Sequence, residues 1–281
     1  IRKAIAIGVP AVKAYKMASF NAARAYQINN AGAIGPGRLA DIVVVGDLSK
    51  AEPSFVIKGG KIVDEEWLES FHYELKDESL LKTVKVGNLN QKDLALAQKE
   101  VNHVIELVPN QLLTLHKEER IPGKNGEFVP NSEYAKLVVA ERHGKNGKVG
   151  VCPIKGYGIK NGAVATTVSH DSHNIIAVGD NDNDILRAIN ELKEIQGGYV
   201  IASGNHIVDE LPLTIGGLMS LDKAANVQKK TSRMVQAARN MGVQEGVDPF
   251  ITLSFMALTV IPELRLTEAG IFDVSNMKFL Q

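Results

Sequence analysis

The chain has 281 residues, 44% apolar and 23% charged, which excludes a disordered chain and allows one large domain or two ordinary ones. Its 32 basic residues are matched by 32 acidic ones, so the charge carries no sign of a nucleic-acid or other polyanion partner. Cys152 is the only cysteine. It permits no internal disulfide, fits a reducing, cytoplasmic setting, and reads as a small core residue rather than a nucleophile. The longest apolar stretch, residues 249–262, contains polar side chains and is too short for a bilayer, so no membrane partner is expected.

Residues 1–8 read as helix with no Met and no N-cap ahead of them, the expectation being a fragment that opens inside an element. Pro10 stands where a first helical residue belongs, and Val12, Tyr15, Ser19, Ala22 and Tyr26 follow at helical spacing until Asn29-Asn30 stops them. Gly35-Pro36-Gly37 is a turn. Residues 40–45 form a β-branched run that reads as a buried strand, with Asp41 a structural residue at its start. Residues 55–58 and 61–63 flank Gly59-Gly60, a hairpin signal. From about residue 65 to 79 the sequence is charged and mixed around Trp67, and a domain boundary is expected there.

Beyond it, strands are expected at residues 83–86, 103–107, 112–115 and 137–140, with a polar turn at 145–148. Two more, at 164–169 and 175–178, enclose His170, Asp171, Ser172, His173 and Asn174. The oxygens of residues 180–183 predict a helix N-terminus, and Ile185, Ile189 and Leu192 its buried stripe. A second hairpin turns at Gly204-Asn205. Val227, Thr231, Met234, Ala238 and Met241 predict an amphipathic helix, and residues 251–258 a short buried one. The pattern is that of a helical segment, a small β unit, and an α/β or α+β domain.

The loop at residues 170–174 is the sharpest candidate site. Two imidazoles, a carboxylate, a hydroxyl and an amide crowd between strands. Three readings stay open: a purine pocket lined by His170, Asp171, His173 and Asn174, a turn that satisfies its own backbone, and a metal site. A hydrolase triad from Ser169, His170 and Asp171 is rejected, because neighbours on a strand point to opposite faces. Gly156-Tyr157-Gly158 and Gly216-Gly217 match no phosphate-binding spacing and read as turns. His72, His103, His116, His143 and His206 read as scattered, ordinary histidines, and Glu263 with Arg265 as an ion pair.

Met17-Ala18-Ser19-Phe20-Asn21-Ala22-Ala23, followed by Gly32-Ala33-Ile34-Gly35-Pro36-Gly37-Arg38-Leu39-Ala40-Asp41-Ile42-Val43-Val44, resembles the segment that closes amidohydrolase-superfamily proteins. Four further stretches resemble the C-terminal domain of the bacterial adenine deaminase family. They are Ser169-His170-Asp171-Ser172-His173-Asn174-Ile175-Ile176-Ala177-Val178-Gly179, Leu211-Pro212-Leu213-Thr214-Ile215-Gly216-Gly217-Leu218-Met219-Ser220, Asp248-Pro249-Phe250-Ile251-Thr252-Leu253-Ser254-Phe255 and Ile261-Pro262-Glu263-Leu264-Arg265-Leu266-Thr267. The resemblance implies the end of a (β/α)8 barrel at residues 1–30, a small β-sandwich part at 31–70, and a separate mixed α/β C-terminal domain at 80–281.

The resemblance also implies an activity: adenine and water to hypoxanthine and ammonia, in purine salvage. The family holds a divalent metal, manganese or iron, at the barrel mouth, where it activates water. Its ligands include an early His-x-His, and this sequence has none. No metal ligand and no catalytic residue is therefore carried over, and the chain alone is expected to be inactive and to bind no metal. Adenine is the implied small-molecule partner of the parent enzyme, with a homo-oligomer possible. The alternatives are the tail of another amidohydrolase, or a non-catalytic module for gating or oligomerisation.

Overall fold

A computed structural model describes residues 1–71 and 74–280. The chain divides into two compact units, Ile1–Lys76 and Asp77–Gln281. In the first unit, α1 (Arg2–Ala6) and α2 (Ala11–Lys16) are joined through Pro10, which is the N-cap of α2 rather than its first residue, with φ −55° and ψ 135°. A π-helical turn, Met17–Asn21, separates α2 from α3 (Ala22–Ala25). Here Ser19 turns its hydroxyl back onto the Tyr15 carbonyl at 2.7 Å, a bond that bends helices.

Three antiparallel strands follow: β1 (Ile42–Val45), β2 (Pro53–Lys58) and β3 (Lys61–Ile62). Lys58 pairs with Lys61 across Gly59-Gly60, whose φ values are 57° and 82°. Both turn residues must be left-handed in this hairpin type, which is why two glycines stand there. Asp41 accepts from the Gly59 amide at 2.8 Å and from the Lys58 ammonium, a structural role as expected. A short helix, α4 (Glu65–Glu69), is capped by Asp64, with Trp67 edge-on to Phe71; the charged, mixed composition of this stretch carries no helical signal.

The second unit is built on one eight-stranded sheet. Its strands are β4 (Asn102–Leu107), β5 (Thr114–Glu119), β8 (Tyr134–Ala140), β9 (Val149–Lys155), β10 (Ala163–Thr166), β11 (Ile175–Gly179), β12 (Gly198–Ser203) and β13 (His206–Pro212). A separate two-stranded ribbon pairs β6 (Gly123–Lys124) with β7 (Glu127–Phe128). The sheet order is β13-β12-β10-β11-β8-β9-β4-β5. Only β4 and β9 run parallel, so the chain is mixed α and β with a mainly antiparallel sheet. Residues 83–86 do not form the expected strand. Val84 and Val86 are buried, but the segment reaches its neighbours through isolated bonds such as Lys85 N–H to the Arg142 carbonyl at 2.7 Å.

Both faces of the central strands β8, β10 and β11 are covered, so these strands read as nearly continuous apolar runs. Val138, Ala140, Ala163 and Ala165 face α5 (Asp182–Glu194), which buries Ile185, Ile189 and Leu192 against them. Each of these side chains contributes about 1.5 to 3 kcal/mol on leaving water. Asn181 is the N-cap and accepts from the Asp184 amide at 2.9 Å. The opposite face carries Leu137, Val139, Cys152 and Ile154, packed against α6 (Ala224–Asn240) and α7 (Ile251–Ser254). The same layer holds a small sheet of β14 (Leu264–Thr267), β15 (Gly270–Asp273) and β16 (Lys278–Phe279). Burial pushes the Cys152 thiol up to about 12, so it is an inert core group. No helix among the described residues is long and apolar enough to cross a membrane.

Candidate functional site

The loop between β10 and β11 is where the sequence motifs meet. Its start is fixed by α7: the His170 amide donates to the Ser254 carbonyl at 2.9 Å, and the His170 ring stacks on Phe255 with centroids 4.9 Å apart. Its middle is held by His143, whose Nε2 lies 2.8 Å from the Ser172 carbonyl. His143 is thus a prop for this loop, not the unattached histidine that its position in the sequence suggested.

The loop's far end rests on Arg142, which is 1% exposed. The guanidinium donates to the carbonyl of His173, to the carbonyl and hydroxyl of Thr83 at 3.4 and 3.3 Å, and to the Gly216 carbonyl at 3.0 Å. Burial brings its pKa down to about 10, so it is still cationic at neutral pH and its charge is spread over these oxygens. Gly217 packs directly on it: a Cβ there would meet Arg142 Nη1 at 2.8 Å. Thr167 completes the anchor, donating to the Gly217 carbonyl at 2.6 Å and accepting from the Gly198 amide at 2.8 Å. The two glycines are therefore a turn, and one that is bolted to the candidate loop.

The four pocket candidates fare differently. The Asp171 carboxylate is 82% exposed and lies 3.4 Å from His170 Nδ1. His173 has a left-handed backbone, φ 50°, and its amide donates to the Ser169 carbonyl at 2.6 Å. Burial first, then the nearby His170 and Arg142, hold the His173 ring below its ordinary pKa, favouring the neutral imidazole. Asn174 is 3% exposed, with its amide committed: Oδ1 accepts from the Arg142 amide at 3.4 Å and Nδ2 donates to Glu268 at 3.1 Å. It ties the loop down rather than facing a ligand.

Two buried polar atoms of the loop, Ser169 Oγ and His173 Nδ1, have no hydrogen-bond partner among the described residues. Such atoms are uncommon in folded proteins because each costs about 1 to 3 kcal/mol. The Ser169 hydroxyl makes no bond to His170, so no triad forms, although His170 and Asp171 do face one another.

Other expectations are corrected. Glu263 and Arg265 do not pair: Arg265, fully buried, donates to Thr114 Oγ1 and to the carbonyls of Leu264 and Leu112 at 2.7, 2.7 and 2.6 Å, while the Glu263 carboxylate accepts from the His116 amide at 2.6 Å. His103 and His116 are not scattered but adjacent, Nδ1 to Nε2 2.9 Å apart. No signal in the sequence alone pairs them, since the hairpin register that joins them is not readable from composition. His206 is exposed at the start of β13. His72 lies outside the described residues.

Comparison with known proteins identifies the family. The model of the adenine deaminase C-terminal domain matches residues 111–278. The chain belongs to that family. The model of the amidohydrolase family matches residues 1–63, which agrees with the resemblance read at both ends of the sequence. Three adenine deaminase relatives align with nearly all of it. The chain is similar, at 41% identity over 282 residues, to the adenine deaminase of Desulfitobacterium hafniense, covering 100% of this chain and 49% of the relative. Identity to the adenine deaminase of Halalkalibacterium halodurans is 43% over 288 residues, with 100% and 49% covered. For adenine deaminase 2 of Carboxydothermus hydrogenoformans it is 40% over 280 residues, with 98% and 49% covered. The chain spans about half the length of the curated relatives it matches.

The residues of the amidohydrolase match do not fit a metal centre of the kind amidohydrolases use. Residues 1–63 contain neither histidine nor cysteine, and the one group of three metal-ligating side chains found among the described residues lies in the second unit.

Proposed function

We propose that this chain works as the C-terminal half of an adenine aminohydrolase, the enzyme that converts adenine and water to hypoxanthine and ammonia. The observation that carries the reading is the alignment: about 40% identity runs along essentially the whole chain to relatives named adenine deaminase. Residues 1–30 then close a (β/α)8 barrel, residues 31–70 contribute to its β-sandwich, and the divalent metal, manganese or iron, is held by residues outside this sequence. The parent enzyme belongs to purine salvage and is cytoplasmic.

Within that reading, the loop of residues 170–174 faces the purine. The half-exposed His170, the part-buried His173 and the exposed Asp171 can complement the ring-nitrogen acceptors and the exocyclic donor of adenine. The unpartnered His173 Nδ1 supports a role beyond turn geometry. A site that pairs with base edges discriminates strongly, because a mismatched base leaves buried polar groups unpaired. Asn174 and Arg142 hold this loop in place and touch no substrate in this scheme.

The test uses the full-length enzyme. Asp171→Ala or His173→Ala is expected to lower kcat/KM on adenine by roughly tenfold, about 1.4 kcal/mol at the transition state, with metal content and melting temperature unchanged. Wild-type kinetics in both variants, or loss of metal or fold, would make the loop structural. The 281-residue chain alone is expected to release no ammonia from adenine; chelator-sensitive release would overturn the assignment of the metal to residues outside it.

A further inference from the structure

The hairpin of β4 and β5 ends the eight-stranded sheet, and its register sets His103 opposite Glu118 and Ile105 opposite His116. Residues directly across a ladder, or two apart along a strand, share a face. His103, His116 and Glu118 therefore project from one side of the hairpin. On that side Ile105 and Leu107 enter the core, while the three polar side chains reach solvent, 23%, 24% and 59% exposed.

Three atoms define the cluster. His103 Nδ1 is 2.9 Å from His116 Nε2, and Glu118 Oε1 is 3.6 Å from the first and 3.8 Å from the second. A hydrogen bond between the imidazoles accounts for the shortest distance but leaves the carboxylate beyond hydrogen-bond reach of both rings. One cation accounts for all three. A triangle with these sides has its centre, in the plane of the three donors, about 2.0 Å from every corner; this is close to the bond length of zinc to histidine nitrogen and carboxylate oxygen, and small side-chain shifts would let the ion rise out of that plane into four-coordinate geometry.

We propose that His103, His116 and Glu118 form a site for a divalent transition-metal cation of the zinc type. Two neutral imidazoles and one carboxylate suit zinc, cobalt, nickel or copper and disfavour magnesium or calcium, which take oxygen ligands. Three protein donors with a solvent-open side leave a fourth position for water. The ligand backbones are already fixed. The His116 amide donates to Glu263 on the segment that leads into β14, and the His103 carbonyl lies 3.8 Å from Cys152 Sγ on β9. A bound ion would fasten the edge strand β5 to β4, and because only the folded hairpin presents the three atoms together, binding stabilises the fold.

The metal-free 281-residue chain can be titrated with zinc by calorimetry and with cobalt(II) by visible absorption. One equivalent per chain is expected, with the intense bands of four-coordinate cobalt. His103→Gln and His116→Gln should each weaken binding at least roughly tenfold, and the double variant should abolish it. His206→Gln, at an exposed position, should leave it unchanged. Zinc should raise the melting temperature of the wild type and not of the double variant. Glu118→Gln, on the exposed edge strand, gives the same test if a histidine variant fails to fold. Equal uptake by wild type and double variant, or no uptake at micromolar zinc, overturns the proposal.

Discussion

The two units use the same kind of residues to opposite ends. In Ile1–Lys76 the only buried apolar residues among those described are Ala14 and Ala23, while Ile7, Val12, Tyr26 and Ile34 are 70 to 83% exposed. In Asp77–Gln281 the β-branched runs vanish into a sheet covered on both faces. Both units show good local signals: caps, glycine turns, amphipathic spacing. What separates them is whether apolar surface finds a partner, and that is the dominant favourable contribution to folding. A small unit that buries two alanines cannot offset the entropy of ordering its backbone.

The sharpest way to break this contrast is to separate the units. Residues 77–281 expressed alone should unfold cooperatively in urea with dispersed amide resonances. Residues 1–76 alone should show no cooperative transition. A sigmoidal melt from the short piece would refute the account of its stability.

Arginine clamps give the next largest effect, because both units contain one. Arg38 donates from the surface to the carbonyls of Asn29 and Ala31 at 3.1 and 2.9 Å; Arg142 does the same work in the core. Arg142→Met strands buried carbonyls and should cost about 3 kcal/mol, whereas water replaces the bonds lost in Arg38→Met, which should cost about 1 kcal/mol or less. Urea midpoints of the two variants measure the difference directly. If they match, the buried clamp is not what holds the loop of residues 170–174.

Much of the local structure was legible. The Gly59-Gly60 and Gly204-Asn205 hairpins follow from turn chemistry, and α5 from its cap and stripe, because those signals depend only on neighbours in sequence. The failures are long-range. β9 has no clear signal in the sequence because Pro153 interrupts its apolar run, yet it pairs with β8 through seven residues. Residues 83–86 have strand composition but no adjacent strand to ladder with. At the candidate site, the crowded polar loop stood out in the sequence, but the structural duty of Asn174 did not, since its partners Arg142 and Glu268 are remote in the chain. The pairing of His103 with His116 needs the β4–β5 register, and a buried arginine with no carboxylate beside it has no sequence signature at all.

Glycine turns sharpen the comparison at the next scale down. Gly59 and Gly217 both have positive φ, 57° and 73°. A Cβ at Gly59 meets nothing within 4 Å, whereas one at Gly217 meets the Arg142 guanidinium at 2.8 Å. Gly59→Ala should therefore cost only the backbone strain, about 1 kcal/mol, and Gly217→Ala roughly twice that because the clamp must shift as well. Equal losses in thermal melts would mean that the loop around Gly217 relaxes freely.

The smallest expected effect is a pH dependence carried by two shifted histidines of the larger unit. Residues 1–71 contain no histidine, and both shifted rings lie in Asp77–Gln281. The His173 ring is held below its ordinary value of 6.5 by burial, then by His170 and Arg142, with Asp171 opposing and His143 adding to the shift. The unfolded chain therefore binds a proton near pH 6.5 that the folded chain refuses. With more protons on the unfolded state, stability falls as pH drops through 6.5 toward the folded pKa, and above 6.5 the residue contributes nothing. His103 is shifted the same way and adds to the loss, while Glu210, raised by burial and by Glu191, works in the opposite sense. The carboxylates held low, such as Asp209 beside Arg233, titrate below this window and do not interfere. His173→Gln should reduce the loss of urea midpoint between pH 7.5 and 5.5, His103→Gln should reduce it separately, and His206→Gln should leave it intact. If His173→Gln loses as much on acidification as the wild type, the ring is not desolvated in the way its packing against Arg142 and His170 requires.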